Sequence, residues 1–239
     1  AENVSRLATR ATTLAACYHK QTSFFRMNLS SLDPSLLAAI GAVIAYLIGS
    51  LSFAVIVSRF FGLADPRSYG SGNPGATNVL RSGNKAAAIL TLLFDALKGY
   101  IPVVIAQQMG LDMLAVTAVG LGAFIGHLWP IFFKFEGGKG VATAAGVLLG
   151  FGPAVGGMVL LVWLAMAVVF RYSSLAALTA SLAAPIIQLQ SQAWSFSAMT
   201  AGVIVMSVLL IWRHEANIRK LLAGQESKLG QKATTPGAP

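Results

Sequence analysis

Three short segments of the chain contain residues whose types and spacing suit the binding of phosphate. The first runs from Ser71 to Arg81 and reads SGNPGATNVLR. Its glycines let backbone N–H groups turn toward an anion without an obstructing Cβ. Thr77 and Asn78 add side-chain donors, and the guanidinium of Arg81 can hold a phosphate by two parallel hydrogen bonds. An ordinary polar loop rich in turn residues explains the same composition about as well, so this segment alone indicates only a candidate anion site.

The second segment, Glu136 to Thr143, reads EGGKGVAT and precedes an apolar run. A helix amino terminus presents unpaired N–H groups that favour phosphate, and Lys139 adds a full charge. The segment is not a Walker A loop, because that motif needs Gly six residues before the Lys and Ser or Thr after it. Phe133 and Gly140 stand in those places, so no nucleotide site is predicted. A glycine-rich turn with a snorkelling lysine is the alternative, and we favour the phosphate interpretation.

The third segment, residues 213–220, reads RHEANIRK. If the preceding helix continues into it, His214 and Asn217 share a face at i, i+3, and Glu215 can pair with Arg219 at i, i+4. A basic helix end that anchors the protein at a membrane interface is the simpler interpretation of this segment by itself.

Polar residues also interrupt two of the apolar runs. Asp95 and Lys98 are spaced i, i+3, and ionisable groups at such depth usually face the protein interior and pair with each other. We therefore expect a structural ion pair. His127 lies near the end of the next run, where it either forms a hydrogen bond between helices or takes part in chemistry.

The composition excludes an ordinary soluble protein. Of the 239 residues, 56% are hydrophobic and only 10% are charged, whereas soluble domains carry about 25% charged residues. The formal net charge is +9, and the basic residues of the core lie between the apolar runs. This distribution is typical of residues that orient a membrane protein and contact anionic partners, and it does not favour a nucleic-acid partner. The single cysteine, Cys17, forms neither an internal disulfide nor a metal cluster, and we predict no metal and no cofactor.

The apolar runs predict an all-α integral membrane protein with seven transmembrane helices, since a span needs about 20 apolar residues. The predicted helices are 36–57, 86–107, 112–133, 141–151, 153–170, 174–190 and 195–212. The long run 141–170 is divided at Gly152 and Pro153, because proline breaks a helix. With the amino end outside and the carboxyl end cytoplasmic, every basic loop of the core lies on one side. The short fourth helix, rising only about 15 Å, is alternatively partly re-entrant.

The ends of the chain are expected to lie outside this fold. Residues 1–26 are rich in Ser and Thr and contain four basic residues but one acid, a composition that resembles a transit segment. We interpret them as a non-native extension or a mis-assigned start. Residues 27–230 are predicted to form a single membrane domain, and residues 231–239 a flexible tail.

Taken together, the motifs closely resemble those of the bacterial acyl-phosphate:glycerol-3-phosphate acyltransferase family. The resemblance covers roughly residues 36–230, and the motifs keep the family's order. The matching segments are Gly70–Arg81, Asp95–Gly99, Gly126–His127, Gly137–Thr143 and Arg213–Ile218.

The resemblance implies a seven-helix enzyme of the bacterial inner membrane with its active site on the cytoplasmic face. It implies acyl transfer from acyl phosphate to the 1-hydroxyl of sn-glycerol 3-phosphate, giving lysophosphatidate and phosphate, the first acylation of phospholipid synthesis. A separate soluble enzyme would supply the acyl phosphate, and the lipid bilayer is the remaining partner.

Site residues are assigned within these motifs. The residues expected to bind the phosphate of acyl phosphate are Ser71, Gly72, Asn73, Thr77 and Asn78. Those expected to hold glycerol 3-phosphate are Arg81, Gly138 and Lys139. His214 and Asn217 are expected to act on the acceptor, and His127 to orient a substrate or a neighbour. Because the sequence offers no obvious Ser-His-acid set, we expect direct attack without an acyl-enzyme, with the donor's phosphate or His214 accepting the proton.

Three other functions remain to be compared with this one. A transporter for phosphorylated solutes could use the same basic residues and a helix broken at Gly152, although the sequence shows no inverted repeat. A structural scaffold leaves the three polar motifs unexplained. An acyltransferase that uses acyl thioesters is excluded only by the resemblance. The preferred acyl-chain length cannot be read from the sequence.

Overall fold

The structure, a computed structural model, describes residues 33–231, and all its regular elements are helical. The predicted extension, residues 1–26, lies outside the described residues, as does the tail beyond residue 231. The α-helices are α1 Pro34–Gly49, α2 Phe53–Phe60, α3 Ala76–Leu80, α4 Lys85–Gln108, α5 Met113–Leu128, α6 Val141–Phe151, α7 Pro153–Phe170, α8 Ser173–Ser191, α9 Ala198–Arg213 and α10 Glu215–Leu222, with a 3₁₀ turn at Ile131–Phe133.

Side-chain caps define where several long helices begin. Asp33 accepts from the backbone N–H of Ser35, one residue after Pro34 opens α1. Asn84 and Asp112 accept from backbone N–H groups in the first turns of α4 and α5. Such caps satisfy donors that have no partner within the helix, so polar residues at the ends of the apolar runs fix the helix boundaries.

Helices occur at all seven predicted positions, but the first is interrupted. The expected helix 36–57 divides into α1 and α2 at residues 50–52. The ammonium of Lys98 donates to the carbonyl oxygen of Leu51 at 2.7 Å. A buried cation thus takes the carbonyl that the break exposes, which accounts for the stability of the interruption.

The division of residues 141–170 into two helices is confirmed. Gly152 has an extended backbone, with φ of −175° and ψ of 124°, and Pro153 begins α7. Within residues 33–231, four segments are long and apolar enough to cross a membrane: Pro34–Phe60, Lys85–Gln108, Met113–Phe133 and Pro153–Phe170. A fifth results if α9 and α10, which meet at a 57° bend, are one broken span.

Small residues bring the central helices into close contact. A Cβ at Gly126 of α5 would lie 2.2 Å from the carbonyl oxygen of Tyr46 on α1, and one at Gly146 of α6 would lie 1.9 Å from that of Ala96 on α4. Such approaches are typical of membrane helix interfaces. They hold α5 against α1 and α6 against α4, and α5 and α6 flank the glycine turn described next.

Candidate active site

A cavity of about 590 Å³ opens at the end of the bundle where the three polar segments meet. Its mouth is polar and basic, with Arg81, Lys85 and Lys139 among the lining residues. Its interior is apolar and lies between α4, α6, α7, α8 and α9. The cavity thus combines a basic end, whose charge suits anions, with an apolar channel.

The loop before α3 is organised around Asn78, whose side chain is 2% exposed. Its amide donates to the carbonyl oxygens of Pro66 and Tyr69 at 2.6 and 3.1 Å. Its oxygen accepts from the backbone N–H of Ser71 at 3.0 Å and from Arg81 at 3.3 Å. Both amide hydrogens are therefore used within the protein, and Asn78 supports the shape of the loop.

Two contacts attach this loop to the rest of the mouth. The hydroxyls of Thr77 and Ser173, at the start of α8, are 3.0 Å apart. Arg81 donates to the hydroxyl of Ser227 at 3.4 Å. The first polar segment is thus connected both to α8 and to the residues that follow α10.

The second polar segment forms a turn at Gly137 and Gly138 that the surrounding protein holds by its backbone. Arg213, the last residue of α9, donates to the carbonyl oxygens of Gly137 and Gly138 at 2.8 and 3.1 Å. The backbone N–H of Gly138 donates to the carbonyl oxygen of His127 at 3.1 Å. A Cβ at Gly138 would lie 2.2 Å from Nε2 of His127, so only glycine fits beside that imidazole.

Lys139 projects from this turn into a chain of polar contacts. Its ammonium donates to the side-chain oxygen of Asn217. The amide of Asn217 donates to the carboxylate of Glu226 at 2.7 Å, and Ser174 donates to the same oxygen at 2.7 Å. Burial lowers the pKa of Lys139 to about 8, with nearby Arg81 acting in the same direction and Glu226 against it. Lys139 therefore remains mostly charged at neutral pH.

His214 occupies the bend between α9 and α10 and is 2% exposed. Its Nδ1 is 2.8 Å from the carbonyl oxygen of Leu210. Because a carbonyl oxygen only accepts, Nδ1 carries a proton in this contact. In the neutral imidazole Nε2 is then an acceptor, and the residue lines the cavity.

The expected ion pair of Asp95 and Lys98 is confirmed, with 2.7 Å between carboxylate and ammonium. His127 Nδ1 is 3.6 Å from the same carboxylate oxygen. All three side chains are buried, and this cluster connects the break between α1 and α2 to the glycine turn.

Most of the predicted site residues line one cavity. They are Ser71, Asn73, Thr77, Asn78, Arg81, His127, Lys139, His214 and Asn217. Gly72 is exposed and has a φ of +67°, so its part is the turn of the loop. Gly138 contributes through the turn that presents Lys139.

The predicted ion pair of Glu215 and Arg219 is present on the exposed face of α10, with 2.6 Å between the carboxylate and the guanidinium.

Several residues of the site escaped the sequence analysis. Arg213 was considered only as an anchor, yet it binds the glycine turn. Ser173, Ser174 and Glu226 line the cavity but belong to no phosphate-binding pattern. One signal was available for Glu226, which is the only acidic residue after Glu215 in a basic tail.

The fold and the site together define an integral membrane protein with a cavity whose mouth is basic and whose interior is apolar. The family model described as glycerol-3-phosphate acyltransferase matches residues 39–224. The chain belongs to the glycerol-3-phosphate acyltransferase family, and its chemistry is acyl transfer.

Relatives and solved structures agree with this assignment. Glycerol-3-phosphate acyltransferases of Burkholderia ambifaria and Burkholderia multivorans are 59% and 60% identical, over 81% of this chain and 91% of theirs. The crystal structure of PlsY (YgiH), an integral membrane glycerol 3-phosphate acyltransferase, in its glycerol 3-phosphate form is 41% identical. It has a TM-score of 0.75 and covers 81% of this chain and 96% of its own. Its lysophosphatidic acid form has a TM-score of 0.73, with 40% identity.

Proposed function

We propose that the protein transfers a fatty acyl group from acyl phosphate to the 1-hydroxyl of sn-glycerol 3-phosphate. The products are 1-acyl-sn-glycerol 3-phosphate and inorganic phosphate. The observation that carries the proposal is the cavity whose mouth is lined by Arg81, Lys85 and Lys139 and whose interior is apolar. This combination suits two phosphate groups and one acyl chain at the same time.

The reaction itself requires little activation from the protein. Acyl phosphate is a mixed anhydride, so its phosphate is a good leaving group. The acceptor oxygen forms a bond to the carbonyl carbon, the bond from that carbon to the phosphate oxygen breaks, and phosphate leaves with the hydroxyl proton. What the site must supply is the alignment of two anions, for which fixed positive charge and positioning provide most of the catalysis.

We assign the donor phosphate to the first glycine-rich segment, and glycerol 3-phosphate to the second segment together with Arg81. Ser71, Asn73 and Thr77 bind the phosphate of the donor, and Gly72 and Asn78 hold their loop in shape. Arg81 and Lys139 hold glycerol 3-phosphate, and Gly138 forms the turn that presents Lys139. Asn217 is placed to contact the acceptor as well, since it bonds to Lys139.

Direct attack without an acyl-enzyme agrees with the hydrogen bonds at the mouth. The hydroxyls of Ser173 and Ser174 bond to Thr77 and Glu226, rather than to an imidazole that would activate them. The donor's phosphate accepts the hydroxyl proton, and Nε2 of His214 is the alternative acceptor. His127 acts indirectly, because its backbone and ring position the glycine turn.

In the membrane we propose seven spans, with the amino end outside and the basic mouth of the cavity on the cytoplasmic face. The domain comprises residues 27–230. Glycerol 3-phosphate is water-soluble, and the donor is made by a soluble enzyme, so a mouth on this face gives both substrates access.

The test is phosphate release by the detergent-purified protein, given palmitoyl phosphate with and without glycerol 3-phosphate. We expect release that depends on the acceptor, with lysophosphatidate formed in equal amount. Lys139→Ala should reduce kcat/KM for glycerol 3-phosphate at least about 100-fold, as typical of a lost charge contact in the transition state.

The matched control is Lys134→Asn, which removes a lysine charge outside the cavity. Lys134 has a φ of +55°, and asparagine tolerates that conformation, so activity should stay within about twofold of the parent. Transfer from palmitoyl thioester but not from palmitoyl phosphate would overturn the donor assignment. Isolation of a stable acylated protein would contradict direct attack.

A further inference from the structure

Two walls of the apolar part of the cavity differ in the size of their side chains. On α8 the lining positions Ala177, Ala180 and Ala184 share one face and are at most 6% exposed. The wall formed by the neighbouring helix α7 contains Trp163, a much larger side chain. A strip of alanines thus provides the space, and a tryptophan narrows it.

Trp163 has an unusual environment for its type. Its indole N–H is buried and has no hydrogen-bond partner among the described residues, although a buried indole usually finds one. The side chain therefore contributes to the cavity by its size and shape rather than by a polar contact.

The depth of each lining residue follows from helix geometry. With a rise of about 1.5 Å per residue, Ala180 and Ala184 lie about 10.5 and 16.5 Å from Ser173 at the polar mouth. Trp163 lies seven residues from Phe170, the mouth end of α7, or about 10.5 Å in. Trp163 and Ala180 are therefore at the same depth on two walls.

We propose that the acyl tail lies along the α8 alanine face, and that Ala180, Ala184 and Trp163 set the tail length and width that the enzyme accepts. This proposal rests on the proposed function and specifies its donor. Carbon–carbon bonds of about 1.5 Å advance an extended chain about 1.25 Å per carbon. The eighth carbon then lies near Ala180 and Trp163, and the thirteenth near Ala184.

A different path for the tail is visible in the same cavity. Ile89 and Leu92 of α4 line it and are 64% and 51% exposed, so the cavity also opens sideways toward lipid. A tail that left by this opening would not pass Ala184. The two paths predict different responses to substitutions on α8.

The experiment compares kcat/KM for octanoyl, dodecanoyl and hexadecanoyl phosphate, with saturating glycerol 3-phosphate, in the purified enzyme. Ala184→Leu should reduce the value for the hexadecanoyl donor at least about tenfold and leave the two shorter donors unchanged, since methylenes that no longer fit cost about fourfold each. Ala180→Leu should reduce the values for both the dodecanoyl and hexadecanoyl donors and leave octanoyl unchanged. Unchanged octanoyl activity also shows that each variant is folded.

Two further variants complete the test. Trp163→Ala in the Ala180→Leu background should restore most of the dodecanoyl activity, because the two changes compensate in volume at one depth. Ala154→Leu, the same enlargement at an exposed position of α7, should leave all three donors unaffected.

The outcomes separate the two proposals. If the parent enzyme shows no acceptor-dependent transfer with any of the three donors, the proposed function fails. If the parent is active but Ala184→Leu and Ala180→Leu lower all donors equally, or none, the tail does not follow α8 and the present proposal is overturned.

Discussion

The two glycine-rich segments of the site, residues 70–81 and 136–143, are both short and polar, yet the protein holds them in different ways. The first is held from within, by the four hydrogen bonds of its own Asn78. The second is held from outside, by Arg213 and by the backbone of His127. In the first segment Gly72 supplies a backbone conformation, with a φ of +67°, whereas in the second Gly137 and Gly138 supply space. Substitutions should therefore act by different physical causes in the two segments.

Among the changes that test how the two segments are held, the largest effect is expected for Gly137→Ala in the second segment. A Cβ at Gly137 would lie 2.2 Å from the carbonyl oxygen of His127 and 2.3 Å from that of Leu128. Two fixed backbone atoms cannot both give way, so the turn that presents Lys139 must move. We expect kcat/KM for glycerol 3-phosphate to fall about 100-fold, equivalent to about 2.7 kcal/mol.

The control for this variant is Gly157→Ala on α7, where a Cβ would meet no atom within 4 Å. Because alanine is the better helix former, activity should be unchanged and thermal stability equal or slightly higher. Equal losses in the two variants would show that crowding at the turn is not the cause.

The next effect is expected for Asn78 in the first segment. Asn78→Ala removes all four hydrogen bonds of a buried amide, each contributing about 0.5–1.5 kcal/mol. We expect a lower midpoint of thermal unfolding in detergent and a loss of about 30-fold in kcat/KM for the acyl phosphate.

Asn78→Asp gives a sharper test of the same support. Aspartate has nearly the same shape and keeps the acceptor oxygen, but it places a second oxygen against the carbonyls of Pro66 and Tyr69. The Asp variant should therefore be no more active than the Ala variant. Parent-like activity of Asn78→Asp would mean that the amide donors do not hold the loop.

A rise in pH should have an intermediate effect on the KM for glycerol 3-phosphate. The cause should be the loss of charge from Lys139 in the second segment. Lys139, with its pKa lowered to about 8, is charged below that pH and loses its charge as the pH rises through it. The KM for glycerol 3-phosphate should rise about tenfold between pH 7 and pH 9, following the charged fraction of Lys139. Initial rates at several acceptor concentrations measure this.

Lys139→Arg provides the comparison, because arginine stays charged over the whole range. Its KM should be higher at pH 7, since the guanidinium has a different shape, but should change little up to pH 9. A rise in KM of the same size in this variant would assign the titration to another group.

The smallest effect is expected for Gly72→Ala in the first segment. Gly72 has a φ of +67°, and its Cβ would come no nearer than 3.6 Å to the carbonyl oxygen of Arg67. The alanine therefore has a strained backbone but does not clash with a neighbour. The strain costs about 1 kcal/mol, which corresponds to a loss of about fivefold in activity. Gly72→Asn should lose less, because asparagine tolerates this conformation. A loss as large as that of Gly137→Ala would remove the distinction between the two segments.

The sequence predicted the helical elements better than it predicted the contacts among polar residues. Seven helices follow from apolar runs alone, and Pro153 was sufficient to divide the run 141–170. The break between α1 and α2 was not predicted, because it depends on Lys98, which lies 47 residues further along the chain. Arg213 looked like an interfacial anchor, since nothing local to it indicates the carbonyls of Gly137 and Gly138.

By itself, the sequence determined that the chain is an all-α membrane protein and which motifs make up its polar segments, because composition, periodicity and glycine-rich spacing are local properties. Only the tertiary structure decided that Asn78 supports a loop, that Glu226 and Ser174 join Lys139 at the mouth, and that an alanine face and Trp163 bound the cavity. Each of these depends on which groups become neighbours when helices pack. Burial then fixes which donors and acceptors must be paired and how much space remains between them.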